Sequence, residues 1–308
     1  MRLALPPQSC MTLLMALRRT LPALAAALLW LGSGGGPASA ADNAAITRGA
    51  YLAIAADCGA CHTDKKAGGA PLAGGPPLTT PFGTFYGPNI TPDKETGIGD
   101  WTEEQFKRAL REGVNEHGAY MFPVFPFTSF TNLTDADAGD LYAYFMSVPP
   151  VGHRTPENDV KFPFSWRPLL LGWRSLFFKE GPLTPVPGQS DEWNRGRYLA
   201  EAVAHCEECH TPRNFLGALD RAHAFAGNPH GPDGQDAPDI TSDKKDGIGD
   251  WKLDDLVELL KTGTTPEGDI VGKGMADVVD GTGKLTDADR HAIAVYIQSL
   301  PALPQTPK

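Results

Sequence analysis

Cys58-Gly59-Ala60-Cys61-His62 and Cys206-Glu207-Glu208-Cys209-His210 are two copies of one five-residue pattern, C-x-x-C-H. Two thiols three residues apart on a helical turn can each form a thioether with a haem vinyl group, and the histidine that follows then points its imidazole at the iron. The pattern is the attachment signature of c-type haem. Zinc ribbons also use C-x-x-C pairs, but at separations of about 15–20 residues; here the pairs lie 148 residues apart. A thioredoxin-type pair needs a βαβ context, and none is visible. The expected cofactors are therefore two covalently bound haem c groups, held by Cys58, Cys61, Cys206 and Cys209, with His62 and His210 as iron ligands.

Working outward, the chain repeats itself. Arg48-Gly49-Ala50-Tyr51-Leu52-Ala53 recurs as Arg195-Gly196-Arg197-Tyr198-Leu199-Ala200, and Pro88-Asn89-Ile90-Thr91 as Pro238-Asp239-Ile240-Thr241. Gly97-Ile98-Gly99-Asp100-Trp101 recurs as Gly247-Ile248-Gly249-Asp250-Trp251, and Leu133-Thr134-Asp135-Ala136-Asp137 as Leu285-Thr286-Asp287-Ala288-Asp289. The offsets run from 147 to 152. Each copy predicts a helix before the cysteines (43–57 and 192–205), a long Gly/Pro loop, and a middle helix. In the first copy Thr102 and Gln105 form a capping box and Phe106, Ala109 and Leu110 the apolar stripe; Leu253 to Lys261 is the counterpart. A last helix starts at Thr134 or Thr286 and stops at Pro149 or Pro301. No convincing alternating strand appears.

The 308 residues are 41% hydrophobic and 21% charged, with 34 Gly and 28 Pro. That composition suits a packed, loop-rich fold and excludes wholesale disorder. The formal net charge of −10 argues against nucleic acid as a partner. Residues 1–40 contain no acid; they carry Arg2, Arg18 and Arg19, an apolar run from Leu21 to Leu31, and Ala38-Ser39-Ala40. This reads as a secretory signal, too short to span a bilayer. Cleavage removes Cys10 and leaves 268 residues with a net charge of −13, because three Arg leave and no acid does. The expected organisation is 1–40 signal peptide, 41–149 first haem domain, 150–190 a Pro- and aromatic-rich linker, and 191–308 second haem domain. The linker, with Phe162, Phe164, Trp166, Trp173, Leu176, Phe177 and Phe178, is too apolar for a flexible tether. It reads as a strap packed across both domains, or as a docking patch for a dehydrogenase or a membrane surface.

The order of helix, C-x-x-C-H, loop, middle helix, distal loop and C-terminal helix resembles class I cytochrome c over both halves. The fold class implied is mainly α, two tandem class I cytochrome c domains. More narrowly, the strings TPFGTFYGPNITPDKETGIGDW (80–101), FPFTSFTNLTDADAGDLYAYFMSVPP (125–150), EWNRGRYLAEAVAHCEECHTPRN (192–214) and GKGMADVV (272–279) resemble the cytochrome c subunits of bacterial alcohol, aldehyde and gluconate dehydrogenases. Those subunits usually carry three haem domains, and two are expected here, which puts direct quinone reduction and stable membrane attachment in doubt. The resemblance implies an electron carrier rather than an enzyme in its own right. Its donor would be a dehydrogenase and its acceptor a cytochrome or an oxidase. It would work in the periplasm, at or near the outer face of the inner membrane, with room for peripheral membrane contact.

Met opposite His is the ligand pair of such cytochromes and raises the potential of the iron. Met275, in Gly274-Met275-Ala276-Asp277, fits the second site. In the first, the family's Pro-x-Met-Pro run is matched by Pro123-Val124-Phe125-Pro126, and phenylalanine cannot bind iron. Met121 is the candidate there, His117 a weaker one, and an open iron the remaining alternative. An open iron leaves a second function in play, a dihaem peroxidase using the first domain. Met146, in the last helix, reads as core. Trp101 and Trp251 read as domain-core or haem-edge residues, and Asn89 and Asp239 as loop-fixing side chains through Asx-turns.

Overall fold

The computed structural model describes residues 40–231, 234–272 and 274–304. Residues 1–39 of the expected signal peptide, Cys10 among them, lie outside the described residues. Among the described residues no helix is long and apolar enough to cross a membrane.

The first repeat runs α1 (Ala40–Ala55), α2 (Cys58–His62), β1 (Pro77–Thr80), β2 (Gly83–Tyr86), α3 (Glu103–Glu112), α4 (Phe127–Phe130) and α5 (Asp135–Ser147). A linker follows with β3 (Asp159–Val160) and α6 (Pro168–Phe177). The second repeat runs α7 (Asp191–Arg197), α8 (Glu207–His210), α9 (Leu253–Thr262), α10 (Gly274–Thr282) and α11 (Asp287–Gln298). The helices start where the caps predict. Thr102 accepts from the Gln105 N–H, and the Gln105 side chain accepts from the Thr102 N–H, the two halves of a capping box. Thr134 and Thr286 cap α5 and α11 by accepting from the N–H of Asp137 and Asp289.

Three short antiparallel strands, in the order β1-β2-β3, correct the expectation of no strands. They are two to four residues long and broken by Pro and Gly, so no window is wide enough to show a period of two.

In each repeat the first helix crosses the last at a glycine. A Cβ at Gly49 would overlap the Asp140 carbonyl, and one at Gly196 the Ala292 carbonyl. This accounts for the repeated Arg-Gly. The second repeat has one more residue between its Tyr and its first Cys than the first repeat does. That residue is absorbed by a π-turn over Tyr198–Val203, where the Ala204 N–H donates to the Leu199 carbonyl.

The described residues from 41 onward form one compact unit. Leu52, Phe106, Leu141 and Phe145 share one buried cluster with Leu199, Leu256, Ile293 and Ile297. The joint is reciprocal. The Tyr51 hydroxyl of α1 donates to Asp289 (2.6 Å) and accepts from the Thr286 N–H (3.2 Å), at the N-terminus of α11. Tyr198 makes the same pair of bonds to Asp137 and the Thr134 N–H at the N-terminus of α5. The linker is a strap in its middle. Trp173 packs its ring on Phe127 of the first repeat and donates to the Leu216 carbonyl of the second (3.0 Å). Trp166, at 59% exposure, stays open with Phe162, Leu171 and Leu176, so the linker is strap and exposed patch at once.

Candidate haem sites

Each C-x-x-C-H string winds into a single helical turn entered through a left-handed residue, Asp57 (φ 47°) in one repeat and His205 (φ 42°) in the other. This reverses the chain sharply out of the preceding helix. The sequence reading passed over both residues; the signal was a polar residue directly before the first Cys, Asp and His being enriched at positive φ.

His62 Nδ1 lies 2.6 Å from the Pro88 carbonyl, and His210 Nδ1 lies 2.8 Å from the Pro238 carbonyl. A carbonyl can only accept, so Nδ1 carries the proton and Nε2 is left bare. That is the tautomer an iron ligand needs, and the carbonyl fixes the ring's orientation. Burial lowers both imidazole pKa values, with the proline carbonyls pulling the other way. The repeated Pro-Asn/Asp-Ile-Thr strings thus supply an orienting carbonyl in each half. Asn89 Oδ1 accepts from the Thr91 N–H, and its amide donates to the Val151 carbonyl (2.7 Å), pinning the loop to the linker. Asp239 repeats the first bond but has no amide to donate, and burial raises its pKa.

All four cysteines and both histidines line one continuous cavity of about 2360 Å³, well beyond the roughly 300–1,000 Å³ of ordinary ligand pockets. Its walls include Phe85, Ile98, Trp101, Phe130, Ile248 and Trp251. Both tryptophans line the cavity and pack on the core. Burial pushes the thiols of Cys58 and Cys206 up to about 12 and Cys209 to about 11. A cavity of this size, with largely apolar walls and edged by two dithiol–imidazole sets with bare Nε2 atoms, fits a large planar apolar metal cofactor at each set.

Inside the second motif, Glu207 and Glu208 are buried. Glu208 accepts from Thr128 and Ser129 of the first repeat and pairs with Arg213. Burial opposes its charge most strongly, but Arg213, His205 and the hydrogen bonds from Arg213 and Thr128 together outweigh it, so the carboxyl is held below its usual value. Glu208 of the motif is therefore a joint between repeats, while Glu207 pairs with Arg221 of its own repeat. The sequence reading missed this, although two acids beside an attachment site are its trace.

Met275, on the first turn of α10, lines the cavity, and so does Met121. His117 is exposed beside Glu116 and does not line it; Met146 packs against the core as expected. The loops that follow α3 and α9 are pinned alike, which fixes their register. Val114 bridges Tyr120 as Thr264 bridges Ile270. The Met121 N–H donates to the Gly113 carbonyl (2.8 Å) as the Val271 N–H does to Gly263 (2.9 Å). Met121 thus stands where the second repeat has Val271, and Phe125 stands where it has Met275.

Fold and site together define a helical c-type haem protein built twice in one chain. A Cytochrome c family model matches residues 46–149. A "Diheme cytochrome c-type" protein of Cereibacter sphaeroides is 42% identical over 83% of this chain and 86% of its own length. The chain belongs to the cytochrome c family, and its cofactor is covalently bound haem c, two per chain. It is also 45% identical to the fructose dehydrogenase cytochrome subunit of Gluconobacter japonicus over 86% of this chain, and 42% identical to a nicotinate dehydrogenase subunit of Pseudomonas putida over 85%. It spans 54% of the former and 22% of the latter.

Proposed function

We propose that this chain is an exported dihaem cytochrome that takes electrons from a partner dehydrogenase and passes them to a downstream cytochrome or oxidase. One observation carries the reading: both attachment motifs open on the same largely apolar cavity. Two redox centres held at these motifs would share that interior. Relatives named as cytochrome subunits of fructose and gluconate dehydrogenases support the donor class, and residues 1–40 support export to the periplasm.

Haem c, when bound, supplies a one-electron iron couple. The chain does the rest. Cys58 and Cys61, and Cys206 and Cys209, hold one group each. His62 and His210 present Nε2 from one side, oriented by Pro88 and Pro238. Met275 and Met121 both line the cavity, and Met275 would offer its sulfur to the second site. Apolar walls such as Phe85, Trp101, Phe130 and Trp251 would limit water around the group, which keeps reorganisation small when charge changes.

The test is a rapid-mixing experiment on oxidised holoprotein given half an equivalent of reductant. The electrons must redistribute between the two haems faster than between molecules, at a rate independent of protein concentration. A rate that scales with concentration would show isolated centres and end the relay reading. Recovery of the haem-loaded protein from the cytoplasm alone would end the export reading.

A further inference from the structure

The register of the two distal loops separates the sites. Met275 rides on the first turn of a nine-residue helix, α10. Its counterpart, Phe125, precedes Pro126 and a four-residue helix, and packs its ring on Phe130 at 5.6 Å. Carbon stands where the second repeat has sulfur.

Met121 is not free to make good the loss. Its own N–H is bonded to Gly113, and both neighbours are anchored. Arg167 of the strap donates to the Tyr120 carbonyl (2.5 Å) and lies 4.7 Å over the Phe122 ring. Arg174 lies 4.6 Å over the Tyr120 ring, and Phe122 packs edge-on to Phe85 at 5.5 Å. Carrying Met121 four residues along to the ligand register would break this whole set.

We propose that the first haem has no protein ligand on its distal face, and that this face is a binding site for a small neutral diatomic of the carbon monoxide or nitric oxide type. The inference rests on the haem assignment above. The wall chooses the ligand class. From Gly118 to Phe130 the only titratable side chain is the Tyr120 phenol, and the charged or titratable groups that reach this segment from other elements are already engaged: Arg167 by the Tyr120 carbonyl and the Phe122 ring, Glu208 by Thr128, Ser129 and Arg213, and His205 by the Ala56 carbonyl and the Phe130 ring. Splitting peroxide needs a positioned acid or base near the bound oxygen, and an anion would be stripped of water against carbon at a cost. A neutral diatomic meets neither obstacle. It donates an electron pair to ferrous iron and no bond in it breaks.

The experiment uses the holoprotein reduced with dithionite and titrated with carbon monoxide, with covalent haem counted independently by pyridine haemochrome. The expected result is two haems and one carbon monoxide per chain, read from the Soret shift. Phe125→Met, close in volume to the original residue, takes the count from one to none with haem content unchanged. Met121→Leu leaves it at one. A wild-type count of none or of two overturns the proposal. So does a Phe125→Met protein that still binds one, or a Met121→Leu protein that gains one. If Phe125→Met fails to fold, the wild-type count and the Met121→Leu count decide between them. Fewer than two covalent haems would instead overturn the haem assignment.

Discussion

Replacing Asp57 by Asn should stabilise the protein at alkaline pH and do little in acid. Asp57 is half-buried at the joint between repeats. Burial, and then the Asp277 charge from the other repeat, push its carboxyl up to about 7, with Lys65 pulling back and Asp280 adding to the push. The rise from 3.8 at about 1.36 kcal/mol per unit sets a ceiling of about 4 kcal/mol, which solvent screening of a half-buried group reduces to about 1–2 kcal/mol. The folded carboxyl keeps its proton to near pH 7, while the unfolded one loses it near 4, so its contribution drains away as pH rises between those values and is gone above them. Asn mimics the protonated form and tolerates the left-handed backbone. Denaturant unfolding of holoprotein at pH 4.5 and pH 8 is the assay, because every other titrating group cancels in the difference between variant and wild type. The variant should gain about 1–2 kcal/mol at pH 8 and little at pH 4.5. An equal difference at both pH values, or a wild type that is the more stable at pH 8, would refute the reasoning.

Tyr198→Phe removes a hydroxyl bonded to the charged Asp137 and should cost about 1.5–3 kcal/mol, a fall of about 2–4 °C in melting temperature for each kcal/mol. Tyr51→Phe should cost less, because Asp289 keeps both bonds from Arg195 (2.9 Å each); equal melting shifts would contradict this. Gly87→Ala places a methyl on the Cys61 carbonyl and should cut covalent haem from two per chain to one, counted by pyridine haemochrome. Met275→Leu should open the second site and raise carbon monoxide binding from one to two per chain, and an unchanged count would remove Met275 from the ligand set.

The parts read most directly from sequence were those fixed by local chemistry. The cysteine spacing, the Thr102–Gln105 box and the Thr134 and Thr286 caps each involve residues within a few positions, and the structure places the caps where they were expected. The strands between Pro77 and Tyr86 escaped because four residues flanked by Pro and Gly carry no usable period. The Tyr–Asp exchange between repeats escaped because it joins residues 61 and 238 positions apart, and nothing local marks such a partner. The register of Met121 was half legible. Phe125 could be matched to the family's Met run from sequence, but the position of Met121 relative to the iron depends on backbone bonds to Gly113 that only the folded loop reveals.

The exchanged tyrosines tie the two copies to one another. Each half now finishes its neighbour: a chain severed in the linker would expose two helix starts whose phenolic partners sit on the missing piece. Selection can therefore no longer trade these modules singly, and grafting either one onto another scaffold would require carrying a surrogate for its sibling's first helix.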